Sequence, residues 1–134
     1  MATSGYGTLL KRNGTTIANC QNITGPGMTL GTTESTHQTS TAGWREYIAT
    51  LLSGGEVTFD ANFLPADATQ SHAAGLLYDM VNRVLQTFSI VLTDSGTTTW
   101  SFSAHVTRFQ PAAPIDGKLT VSVTLQLSGQ PTLA

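Results

Sequence analysis

The side chains able to do chemistry in this chain are three histidines, eight carboxylates and one cysteine. Their spacing argues against a reaction centre. His37 falls in a polar loop, His72 on a predicted helix and His105 on a predicted strand, so no two stand at metal-ligand spacing. Neither the G-x-S-x-G nucleophile elbow nor the G-x-x-x-x-G-K-[ST] phosphate loop occurs. Glu46 and Glu56 are the nearest thing to a carboxylate pair, yet one sits in a loop and the other at the start of a strand. Cys20, inside a strand, reads as a small buried hydrophobe, and a lone cysteine rules out an internal disulfide. The expectation is a protein without catalytic, metal or cofactor chemistry.

The chemistry of recognition is better represented. Trp44, Arg45, Tyr47, Ile48, Leu51 and Leu52 crowd into a stretch flanked by Ser, Thr and Gly. Trp, Tyr and Arg dominate protein interfaces, so this segment predicts a contact with another subunit. Two alternatives compete. Trp44, Ile48, Leu51 and Leu52 also fit helical spacing, which would fold a short amphipathic helix onto the domain's own core. Trp44 and Tyr47 would also suit a carbohydrate-binding β-sandwich as sugar-stacking platforms on a loop.

The elements that must position these residues are strands. Val57, Phe59, Ala61 and Phe63 alternate with Glu56, Thr58, Asp60 and Asn62, the period of a strand with one packed and one wet face. Asn13-Gly14 predicts a tight turn between strands at 6–11 and 15–24. A short strand at 28–33 follows. Residues 34–55 form a long excursion between strands, and such loops are usually either functional or disordered. Asp67 and Gln70 form a capping-box pattern ahead of a helix whose stripe is Ala73, Leu76, Leu77, Met80, Val81 and Val84, with Asp79 mostly off the stripe. Three further strands, at 87–93, 98–109 and 118–128, put Ser103 and His105, then Thr120, Ser122 and Thr124, on wet faces. Residues 130–134 read as an exposed tail. The fold class is mainly β: an antiparallel β-sandwich or half-open barrel with one flanking helix and a long inter-strand loop.

Length and composition narrow the function. A chain of 134 residues suits one domain, 1–134. Its net charge of −2 supplies no basic field for nucleic acid. Charged residues make up 10 %, against about 25 % in typical soluble domains, which suits a protein that works packed against others. The opening residues lack a basic and apolar leader, and no apolar run is long enough to span a membrane, so synthesis and assembly in a cytoplasm are expected. Asn13 and Asn22 lie in sequons but read as turn residues.

The run GWREYIATLLSGGEVTFDANFLP, the capped helix, and TTTWSFSAHVTRFQPAAPIDGKLTVSVTLQLSGQPTL together resemble the tail tube proteins of long-tailed bacteriophages. GYGTLLKRNGTTIANCQNITGPGMTL is similar to the start of those proteins, so the resemblance covers nearly the whole chain. It implies a structural virion protein in rings, usually hexameric, whose sheets join across subunits around a channel. Stacked rings would enclose the tape-measure protein, meet tail-tip and tail-terminator proteins, and pass DNA without binding it specifically. It also implies that residues 34–55 are mobile in the free subunit and become ordered against neighbouring subunits. Glu56, Thr58, Asp60, Asn62, Ser103, His105, Thr120, Ser122 and Thr124 are then the candidate channel lining. The expected location is the phage tail, assembled in the host cytoplasm.

Overall fold

A computed structural model describes residues 4–17 and 20–134. The predicted Asn13-Gly14 turn forms, with φ of 50° and 84°, the positive values that tight hairpins require. It joins β1 (Leu9–Arg12) to β2 (Thr15–Thr16), with Arg12 opposite Thr15. The strand expected over 15–24 is not continuous. Ile17, 1 % exposed, turns into the core, and the chain resumes as β3 (Cys20–Thr24) on a different neighbour. Positions 18–19 of that strand lie outside the described residues.

The remaining strands are β4 (Thr29–Glu34), β5 (Tyr47–Ser53), β6 (Glu56–Asn62), β7 (Gln86–Val91), β8 (Thr99–Ala112), β9 (Thr120–Leu127) and β10 (Thr132–Leu133). All but β4 and β5 make one antiparallel sheet in the order β2-β1-β7-β8-β9-β6-β3, with β10 paired to β8 off that path. Its first and last strands are consecutive in the chain. The span from Thr16 to Cys20 reaches roughly 14 Å at most, so the sheet must curl until its ends nearly meet. That curl produces the half-open barrel.

The core follows the period of two. Val57, Phe59 and Ala61 on β6, Phe102, Ala104 and Val106 on β8, and Val121, Val123, Leu125 and Leu127 on β9 are all buried. Phe88 stacks on Phe102 with ring centroids 6.0 Å apart, and Phe63 meets Phe109 edge-on at 5.7 Å. Val106 and Phe109 both face inward because the β8–β9 register shifts between Val106 and Arg108. A bulge there absorbs the odd residue.

The helix is shorter than its stripe predicts. Helix α1 runs only Leu76–Val81, and its N-cap is Gly75, not Asp67. Asp67 and Gln70 spend their side chains on local turns instead. The Asp67 carboxylate accepts from the amide and hydroxyl of Thr69, while Gln70 accepts from the Leu64 amide and donates to the Asn62 carbonyl. Leu76 is buried, but Ala73, Met80 and Val81 face outward and Asp79 faces inward. Arg12 draws it there: Nε and Nη2 donate to the two Asp79 oxygens at 2.5 and 2.7 Å.

Residues 130–134 are not a free tail either. Pro131 is buried, and β10 pairs with β8 at Ser101 and Trp100, resuming beside β8 where β9 ends.

Candidate assembly surfaces

The predicted excursion at 34–55 supplies the loop and second strand of a β-hairpin whose first strand is the one predicted at 28–33; it is not an amphipathic helix on the core. Among the described residues β4 and β5 pair only with each other, Leu30 opposite Leu52, Thr33 opposite Ile48 and Glu34 opposite Tyr47. Strand pairing wins because β5 is rich in β-branched and aromatic residues and has a complementary strand within reach. Every residue of both strands is exposed. Trp44 is 76 %, Leu51 87 % and Leu52 79 % exposed, with Tyr47 and Ile48 more than half exposed and Arg45 in solvent beside them. All six predicted contact residues therefore lie on one projecting arm.

The tip of the arm is linked by contacts among its own polar groups. The Glu46 carboxylate accepts from Ser40 Oγ at 2.6 Å and stands 3.4 Å from His37 Nε2, while the Glu46 amide donates to Thr36 Oγ1. At its base, glycines let the two chains pass closely. A Cβ on Gly55 would collide with the Gly27 carbonyl, and one on Gly25 would come within 2.5 Å of the Glu56 carbonyl oxygen.

The second surface is the polar side of β3, β6, β9 and β8. Register aligns Glu56 with Gln126 and His105, Thr58 with Thr124 and Arg108, Asp60 with Ser122 and Gln110, and Asn62 with Thr120. Glu56, Thr58, Asp60, Asn62, His105, Thr120, Ser122 and Thr124 thus share one face, and Ser103 continues it on β8 beside Thr87 of β7. Hydrogen bonds stitch it: Ser122 Oγ donates to Asp60 Oδ1 at 2.9 Å, and Gln21 Nε2 donates to Asn62 Oδ1 at 3.0 Å.

Sequence reading missed Arg108 and Gln110 on this face, because unbroken alternation assigns both to the core side. The bulge brings them out, and Arg108 bonds to Gln110. The break in pattern at Val106-Thr107-Arg108-Phe109 was the available signal. With Arg108 present, the face carries Glu56, Asp60, one guanidinium and the His105 imidazole among amides and hydroxyls.

The four-stranded part of the sheet has two open rims. β3 pairs with β6 alone, and residues 105–112 of β8 pair with β9 alone. Among the described residues no strand covers the far side of either. Open rims of this kind are templates for another chain.

Three further titratable groups are held by their local surroundings. Cys20 is half-buried against the core, and burial pushes its thiol up to about 12. Hydrogen bonds from Thr98 hold the Asp94 carboxyl below its ordinary range, as those from Thr69 do for Asp67. Among the described residues no group of three or more His, Cys, Asp and Glu converges as a metal site would require.

This architecture recurs in solved assemblies. A chain from the virion of a native gene transfer agent particle superposes with a TM-score of 0.78 at 18 % identity, over 99 % of each chain. A chain from the tail of an empty particle of that kind, refined with C6 symmetry, gives 0.76 at 17 %, again over 99 % of each. The sheath/tube terminator structure of an extracellular contractile injection system gives 0.74 at 14 %, covering 100 % of this chain and 97 % of that one. At such identities the likeness establishes the fold. No curated protein sequence matches the chain. The sequence itself matches, over residues 3–134, the family described as the Lambda phage tail tube protein, TTP. With its antiparallel, one-helix fold and its projecting apolar arm, the chain belongs to the lambda phage tail tube protein family, structural components of the phage tail.

Proposed function

We propose that this tail tube protein closes into hexameric rings as a single domain and that the rings stack into a hollow tube through which DNA passes. The observation that carries this reading is the pair of open rims on one polar-faced sheet. The rim of β3 on one copy pairs with the rim at residues 105–112 of β8 on the next, a head-to-tail contact whose repetition closes a ring. Sixfold closure is supported by the C6 symmetry of the similar gene transfer agent tail.

The polar face then lines the channel. Its two carboxylates against the one guanidinium of Arg108 leave DNA phosphates no net basic field to hold, so the polymer slides. The arm from Thr29 to Ser53 lies against adjacent copies, where Trp44, Arg45, Tyr47, Ile48, Leu51 and Leu52 lose their exposure. Each large apolar side chain buried there contributes about 1.5–3 kcal/mol. The tube encloses the tape-measure protein during assembly in the host cytoplasm and meets tail-tip and tail-terminator proteins at its ends. Its role in the virion is structural, not enzymatic.

Electron microscopy of the purified, concentrated chain tests the proposal. Rings or tubes of uniform bore with sixfold end views are expected. Monodisperse monomers that bind glycans would replace it with the carbohydrate-binding alternative.

A further inference from the structure

We infer that consecutive rings are joined by a knob and a hole at opposite ends of β8, a contact that rests on the tube reading above and specifies its axial partner. The knob is Ile115. Of the large exposed apolar side chains among the described residues it is the most exposed, at 101 %. It stands on the turn between β8 and β9, which Pro114 and Gly117 hold tight: a Cβ on Gly117 would come within 2.9 Å of Pro114 Cγ. A fully solvated isoleucine on a stiffened turn loses little freedom on docking, which favours binding.

The hole lies where β8 begins. Met28, Leu52, Trp100, Leu127, Pro131 and Leu133 line a cavity of about 740 Å³ at the base of the arm and beside β10. Ser53, Ser128 and Gln130 add polar groups to its wall without any charge, and the six apolar side chains give an aliphatic group most of its contact surface. Knob and hole cannot meet within one copy, because the 14 residues of β8 separate them. At about 3.3 Å per residue that strand spans roughly 45 Å. A surface at one end complementary to a different surface at the other is what an open, stacking repeat requires. Strands tilted by the roughly 35–45° usual in barrels, plus the turn, set a ring-to-ring repeat of about 40 Å.

The test uses Ile115→Ser, which lacks the knob, Leu133→Glu, which blocks the hole, and Ile115→Leu as the conservative control, all imaged by negative stain beside the unaltered chain. Ile115→Ser and Leu133→Glu should each give single rings, with tubes at least tenfold fewer, while Ile115→Leu stacks normally. Mixing the two defective proteins leaves one good knob facing one good hole, so two-ring stacks and nothing longer are expected. Ile115→Ser tubes at the normal yield overturn the contact but leave the tube reading intact, as does a mixture that stays as single rings. Failure of Ile115→Ser to form rings assigns the residue to the lateral border and overturns the axial assignment. An unaltered chain that forms neither rings nor tubes sinks the tube reading itself, and this contact with it.

Discussion

Arg12 grips Asp79 through two hydrogen bonds of 2.5 and 2.7 Å, tying the first strand to the helix across 67 positions of sequence. The Asp79 side chain is fully buried and that of Arg12 is 15 % exposed. The hydrogen bond to Asp79 raises the Arg12 pKa, so the guanidinium stays charged. Removing one partner strands the other's charge. Asp79→Ala should therefore lower unfolding stability by about 3–5 kcal/mol in a denaturant titration. The apolar pair Arg12→Met/Asp79→Leu should recover most of that loss, and equal losses for both variants would show that the pair does more than neutralise itself.

Trp44 stands outside the core, so its loss should not reach the fold. Trp44→Ala is expected to melt within about 0.5 kcal/mol of the unaltered chain, while the fraction sedimenting as tubes falls sharply. A large drop in melting temperature would place the indole in the domain's own packing.

Glu56 and Asp60 are the two carboxylates on the polar face of β6. Changing both to lysine gives that lining a basic field, which should hold phosphates and slow DNA release more at low salt than at high. Particles that assemble and eject at the normal rate would remove this face from the channel.

Gly55 has a φ of +72°, and its missing Cβ leaves room for the Gly27 carbonyl. Gly55→Ala should displace the arm, detected as loss of the β4–β5 amide pattern in NMR spectra or of folding altogether. A protein that assembles normally would show that the crossing is loose.

Cys20 has its thiol raised from 9.0 to about 12 by burial. The folded state thus holds the proton more tightly than the unfolded chain. The stabilisation is complete below pH 9 and lost as pH rises towards about 12, so unfolding stability should decline across that window. Alkylation at pH 9 should be at least tenfold slower in the native protein than in denaturant, because the thiolate is the reacting species. Equal rates would mean that the thiol is open to solvent.

Much of this protein is written in local pattern. The alternation from Glu56 to Phe63 and from Thr120 to Leu127 dictates which side chains are wet, because successive residues of a strand point to opposite faces. The Asn13-Gly14 turn is equally local, since both residues accept positive φ. The crowding of Trp44 to Leu52 marked an apolar segment, though its helical spacing left its conformation open. Tertiary structure decided the rest, through contacts between residues far apart in the chain. It cut the strand at Ile17 by burying that side chain. It drew Asp79 inward to an arginine the helix pattern does not contain. A bulge beside β9 turned Arg108 outward. Which rims stay open, and what lies at each end of β8, follow only from how the curled sheet closes, since pairing partners come from distant segments and no short window of sequence records them.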